Sequence, residues 1–254
     1  MDFVLTADVD WASEDCIETF LQIAARFSIR PTIFITHESE ILKRAHADGC
    51  VELGVHPNFL AGSDHGADAA SVIDSVLRLA PEAVAVRAHR YIGSPQISAL
   101  LAARGLSIDS NLCRHLAVGI TPETLPTGSV RLPVFFEDDI HWTEGHGWDF
   151  EIYRHAFFSP GLKVLNFHPF FVTLNVPDAA FYQRHKHYIR TLTKQHAARL
   201  AHRGGGAHSF LIKAITAVQA AGHRFVTLGE LANGLKGRDH RKTAPPAEPL
   251  EVSI

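Results

Sequence analysis

Thr6-Ala7-Asp8-Val9-Asp10-Trp11 closes the first apolar run of the chain, Phe3-Val4-Leu5, and sets two carboxylates two residues apart where that run stops. A strand sends alternate side chains to one face, so Asp8 and Asp10 converge if the backbone is still extended there. In α/β folds the carboxyl ends of the strands are where sites are built. Two acids at such a place need partners, because like charges repel and desolvated carboxylates are costly. A metal ion is one such partner and an arginine another. The alternative, a cap for the following helix, suits Asp10 poorly, because Ser13 is the better-placed cap.

Outward from this stretch, apolar strands alternate with amphipathic helices. Strands are expected at residues 3–7, 31–36, 51–55, 83–87, 106–109, 130–136, 162–167 and 223–227. Helices are expected at 13–27, 38–47, 68–79, 95–104, 177–202, 209–221 and 228–235, and the middle, 111–159, reads as less regular. Repeated β-then-α units imply parallel strands with right-handed crossovers. The expected fold is therefore α/β, a distorted (β/α) barrel of about seven parallel strands. One domain is expected over residues 1–235, with a charged, Pro-rich and disordered tail over 236–254.

Composition narrows the function. The chain has 254 residues, 46% of them hydrophobic, enough for a large core. A net charge of −3 gives no footprint for nucleic acid or an anionic membrane. No apolar stretch approaches the roughly 20 residues of a spanning helix, and no leader is evident, so the expected location is cytoplasmic. The three cysteines, Cys16, Cys50 and Cys113, form neither a disulfide framework nor a CxxC metal pattern. With 17 histidines in the chain, position must decide which of them matter. His185, His187, His196 and His202 fall on one expected helix and read as solvated.

Position singles out the strand ends. After Asp8 and Asp10 come Thr36-His37, then Val55-His56-Pro57-Asn58, Arg87-Ala88-His89-Arg90 and Asp109-Ser110-Asn111. Glu137-Asp138-Asp139 with His141, and Asn166-Phe167-His168-Pro169, complete the series. A barrel would gather these at one mouth. An Asp with two His suits zinc with one position left open. A second carboxylate can deprotonate a water, an arginine can orient that carboxylate, and a histidine opposite can protonate a leaving group. Together they describe metal-assisted hydrolysis of an amide or ester.

The segments LTADVDW (5–11), ELGVHPNF (52–59), VRAHR (86–90), IDSNL (108–112), RLPVFFEDDIHW (131–142) and LNFHPF (165–170) resemble the polysaccharide deacetylase superfamily. That superfamily is also called NodB homology or carbohydrate esterase family 4, and the resemblance is closest to its WbmS-type branch. It implies a divalent metal, usually zinc, and an N-acylated sugar as substrate, free or nucleotide- or lipid-linked, in surface (O-antigen) polysaccharide biosynthesis. It further implies Asp8 as base and Asp10 as metal ligand, an assignment that could be reversed here. His56 would be a second ligand, Arg87 the partner of the base, and His168 the general acid.

One position departs from the pattern. The second metal-binding histidine of the family falls on Leu60, which cannot ligate. His89, two residues past Arg87, is the expected replacement, and Asn58, His65 and His141 are lesser candidates. Trp11, Phe59, Tyr91 and Trp142 could stack on sugar rings. Two rival readings stand: a hydrolase of a small non-sugar amide on the same fold, and a metal-free, non-catalytic carbohydrate-binding barrel.

Overall fold

A computed structural model describes residues 1–243, with side chains described to residue 235. Ten strands form one sheet: β1 Asp2–Asp8, β2 Thr32–Ile35, β3 Glu52–Val55, β4 Ala85–Val86, β5 Ile108–Asp109, β6 Glu123–Thr124, β7 Val130–Arg131, β8 Val134–Glu137, β9 Lys163–Phe167 and β10 Arg224–Val226. Their order is β6-β7-β5-β4-β3-β2-β1-β9-β8, with β10 against β1. Every pair is parallel except β6–β7.

The sheet bends round on itself. Beyond β5, Cys113 bridges Val134 in parallel, and the Val134 and Arg114 amides donate to Leu112 and Val134 carbonyls. β7 and β8 are thus two pieces of one stave, parted by Pro133, which has no N–H for the ladder. This gives a barrel of about seven staves, as expected. It is distorted at β1, which pairs β10 along Asp2–Val4, β2 along Thr6–Asp8 and β9 throughout Phe3–Ala7. β1 is buried on both faces from Phe3 to Asp8, as a continuous apolar parallel strand should be.

The first helix, Glu14–Arg26, starts at Ser13, whose side chain accepts from the Cys16 amide, with Glu14 and Asp15 in its first turn. It buries Ile17, Phe20, Ile23 and Ala24 at helical spacing.

Three expectations are corrected. The helix expected over 177–202 is instead Ala179–His185, a short 3₁₀ turn Lys186–Tyr188, and Lys194–Leu200. Ser13 takes the carbonyls of Ile189 and Leu192 from outside, and Thr193 caps a fresh helix. Of the four histidines placed there, only His187 is exposed, and the other three are half-buried. The middle is more regular than its sequence suggested, holding helices Asp138–Thr143 and Phe150–Phe158. The last helix, Leu228–Thr243, is longer than the 228–235 expected. No proline interrupts the chain between Leu228 and Pro245. The rest of the expected tail, 244–254, lies outside the described residues.

Candidate metal centre and catalytic pocket

The carboxyl ends of β1, β3, β4, β8 and β9 surround a pocket of about 180 Å³ lined by Asp8, Asp10, His56, His89, Glu137 and His168. A larger cavity of about 730 Å³ lies between helices Glu14–Arg26 and Glu40–Ala47, but among the described residues no cluster of potential metal ligands lies there. The chemistry sits in the small pocket.

Asp10 is delivered by a turn. Val9 still donates to the Phe34 carbonyl, but Asp10 and Trp11 have φ of 46° and 58°, in the left-handed region disfavoured for residues other than glycine. The turn is held by Ala12 donating to the Val9 carbonyl and Trp11 donating to Thr36 Oγ1. Strain over-determined in this way is characteristic of functional sites.

Asp10 Oδ1 lies 3.1 Å from His56 Nε2 and 3.0 Å from His89 Nδ1. Burial works against its charge, but hydrogen bonds from His56 and His89 and the charge of His168 outweigh burial and hold its carboxyl well below the ordinary range.

His89 stands where alternation from Arg87 puts it. Ala88 is extended (φ −76°, ψ 142°), and the chain turns only at His89–Tyr91, so β4 itself is shorter than expected. Trp11 packs edge-on against His89 and stacks on His65. The Asp10 oxygen lies about 3 Å from each imidazole nitrogen and the three ligand atoms lie within 4.8 Å of one another, an oxygen-and-two-nitrogen set of the kind that zinc takes. The three residues fit a divalent cation.

Asp8 has different neighbours. Arg87, 0% exposed, donates through Nη1 to Asp8 Oδ1 at 2.9 Å, to Thr6 Oγ1 at 2.9 Å and to Asn166 Oδ1 at 2.6 Å. Its Nη2 donates to Ser110 Oγ, and its Nε to the Ser110 carbonyl. The guanidinium lies 4.3 Å over the Phe34 ring. A Cβ on Gly54 would meet that ring at 2.7 Å, so glycine there leaves room for the platform beneath Arg87. Asn166 Nδ2 donates to Asp8 Oδ2, so both carboxylate oxygens are fixed.

His168 closes the other side. Its Nδ1 lies 2.7 Å from Asp138 Oδ1, its backbone N–H donates to Asp138 Oδ2, and its Nε2 is 3.6 Å from Asp10 Oδ2. Burial opposes a charge on His168, but the Asp138 carboxylate outweighs it and raises the imidazole well above its ordinary range. Burial in turn pushes Asp138 up to about 6 against the pull of His168. Each partner thus favours the charged form of the other.

All six expected residues, Asp8, Asp10, His56, Arg87, His89 and His168, therefore meet at this pocket or directly behind it. Asn58 and His65 do not reach Asp10. The Asn58 carbonyl oxygen accepts from the Leu60 amide, and His65 spans the Asn58 amide and the Thr36 carbonyl. His141 lies between His115 and the Gly147 carbonyl. His37 pairs with Thr36, and the helix after it is capped by Ser39. Among the stacking candidates only Tyr91 lines the pocket. Phe59 faces a separate groove with Leu60, and Trp142 packs on Phe171 and Tyr182. Sequence reasoning missed Thr6, Ser110 and Asn166 as partners of Arg87, and Asp138 as partner of His168. Thr6 and Asn166 each stand two residues before a recognised site residue, the spacing that puts both on one face.

The fold and the pocket together define a distorted (β/α) barrel of the deacetylase type, with its polar side chains gathered at the carboxyl ends of the strands. The chain belongs to the WbmS-like polysaccharide deacetylase family, whose model matches residues 5–186, well over half its length. It is similar to a WbmS protein from Bordetella bronchiseptica, described as a candidate polysaccharide deacetylase involved in O-antigen biosynthesis. That structure is 26% identical with a TM-score of 0.76, over 84% of this chain and 89% of that one. A polysaccharide deacetylase-like structure from Mycobacterium smegmatis shares the fold at 17% identity and a TM-score of 0.56, over 100% and 94% of the two chains. The Bc1960 peptidoglycan N-acetylglucosamine deacetylase shares it at 15% and 0.50, over 90% and 86%. Among curated proteins none matches.

Proposed function

We propose that this protein is a metal-dependent deacylase that removes an acyl group, acetyl in the simplest case, from an N-acylated sugar during surface-polysaccharide biosynthesis. The observation that carries this reading is the division of the pocket into three: an Asp10–His56–His89 centre, an arginine-paired Asp8 and a carboxylate-backed His168. The relative described as acting in O-antigen biosynthesis supports the sugar substrate.

A divalent cation, most simply zinc, held by Asp10, His56 and His89 would polarise the acyl carbonyl and acidify a water. Asp8, with both oxygens oriented by Arg87 and Asn166, accepts the proton of the attacking water. His168, charged by virtue of Asp138, gives its Nε2 proton to the amine nitrogen as the C–N bond breaks. One water is consumed, and a carboxylate and an amine leave. Cys16, Cys50 and Cys113 are free thiols, which suits action in a reducing cytoplasm on a nucleotide-linked sugar or a lipid-linked one at the inner leaflet. Among the described residues no helix is long and apolar enough to cross a membrane.

The direct test is acetate release from UDP-N-acetylglucosamine and from a polyprenyl-linked N-acetyl sugar, run beside a cyclic amide. Acetate from a sugar donor supports the reading. Turnover of the cyclic amide alone, which the small pocket could accommodate, overturns it in favour of the second reading.

A pH profile tests His168 separately. A general acid must be protonated, so activity should persist above the ordinary histidine pKa of about 6.5 and fall as pH rises through the raised value. In Asp138→Asn the largest of the charges that raise His168 is gone, while those of Asp139 and Asp10 remain. The alkaline limb of kcat should then move down by about one pH unit or more, with a rate loss of about 10–100-fold near neutrality. An unmoved limb would remove His168 from this role.

A further inference from the structure

Glu137, the last residue of β8, is 4% exposed and lines the pocket, yet no step above uses it. Its Oε2 is buried and has no hydrogen-bond partner, and Oδ1 of Asp139, which lines the same pocket, is also buried and unpartnered. The other acids here are all matched: Asp8 by Arg87 and Asn166, Asp10 by His56 and His89, Asp138 by His168. An unpaired buried carboxyl is costly enough that it is rarely kept without a partner arriving from outside. Burial and the neighbouring charge of Asp139 push the Glu137 carboxyl well above its usual range, which reports the same deficit of positive charge.

The location narrows the partner. Ligand atoms of Glu137, His168 and Asp8 lie within 4.8 Å of one another, so Glu137 stands beside His168, where the proton is delivered, and beside Asp8 as well. On the deacylase reading, an amine is released at that place, and it becomes an ammonium at neutral pH.

We propose that Glu137, with Asp139 beside it, is a subsite for the ammonium of the amino-sugar product. The inference rests on the deacylase reading. It makes the pocket selective for amino sugars and unfavourable to sugars bearing a carboxylate or phosphate there, because a second anion would face two uncompensated carboxyls. It also makes the enzyme sensitive to its own product.

The test is calorimetric and needs no turnover. Zinc-loaded protein is titrated at neutral pH with D-glucosamine, D-glucose, D-glucuronate and acetate. Glucosamine should bind at least about tenfold more tightly than glucose, the scale of one charge-assisted hydrogen bond, and glucuronate more weakly than glucose. Glu137→Gln should bring glucosamine down to the level of glucose while acetate binding persists. Asp139→Asn should reduce the preference in the same direction, and serves alone if the first variant does not fold.

Equal binding of glucosamine and glucose by wild type, or a preference untouched by both variants, overturns the proposal. So does a second zinc equivalent lost in Glu137→Gln, which would make Glu137 a metal ligand. If acetate binds and is released from an N-acetyl sugar without any glucosamine preference, the subsite fails and the deacylase stands. If the preference is present and no acyl sugar is cleaved, the deacylase reading is the one that fails.

Discussion

Asp8→Asn should leave the chain folded and able to hold its metal while kcat/KM on the acyl sugar falls by about 10³, within the usual span for loss of a general base. The substitution removes the proton acceptor and leaves Asp10, His56 and His89 untouched. Its structural cost is specific. Asp8 accepts from Arg87 at one oxygen and from Asn166 Nδ2 at the other. An asparagine amide can satisfy one of these and must set its NH₂ against a donor at the other. Asn166 cannot turn to help, because its Oδ1 already accepts from Arg87 and Thr6. The loss should be about 1–3 kcal/mol, so the assay is run where circular dichroism and zinc content match wild type. Turnover within tenfold of wild type would show that Asp8 is not the base.

Arg87→Met should have the largest effect on stability. The guanidinium is fully buried and gathers Asp8, Thr6, Asn166 and Ser110 around one group. Methionine fills much of the stem but leaves the Asp8 carboxylate buried without its counter-charge. Breaking such a pair from one side costs about 3–5 kcal/mol, which for a chain of this size lowers Tm by on the order of 10 °C. The double variant Asp8→Asn/Arg87→Met should be more stable than Arg87→Met alone, because the orphaned charge is then gone. Thermal unfolding of the three variants checks this. A double variant no more stable than Arg87→Met would mean that the ion pair is not what the arginine supports.

Much of this pocket was legible along the chain, because its chemistry stands where apolar runs stop. Asp8, His56 and His168 each end or follow a buried strand, and His89 follows from Arg87 by alternation. What was not legible depends on tertiary meeting. Asp138 is one of three consecutive acids, and only the helix Asp138–Thr143 shows that it turns to His168 while Glu137 and Asp139 face the pocket. Ser110 becomes a partner of Arg87 only because β5 lies beside β4. Residues 177–202 read as one helix because local pattern cannot reveal that Ser13, far away in sequence, claims two of their carbonyls. The barrel was expected from β-α alternation, but its closure by residues past β5 across the break at Pro133 was not.

The chemistry of this pocket depends on whether Asp10, His56 and His89 hold a metal, with Leu60 at the position of the family's usual second histidine. The direct measurement is zinc content of untagged protein, wild type beside His89→Ala, by elemental analysis after dialysis against zinc. About one equivalent in wild type and a small fraction of that in the folded variant is the expected result. No zinc in wild type, or undiminished zinc in His89→Ala, would contradict it.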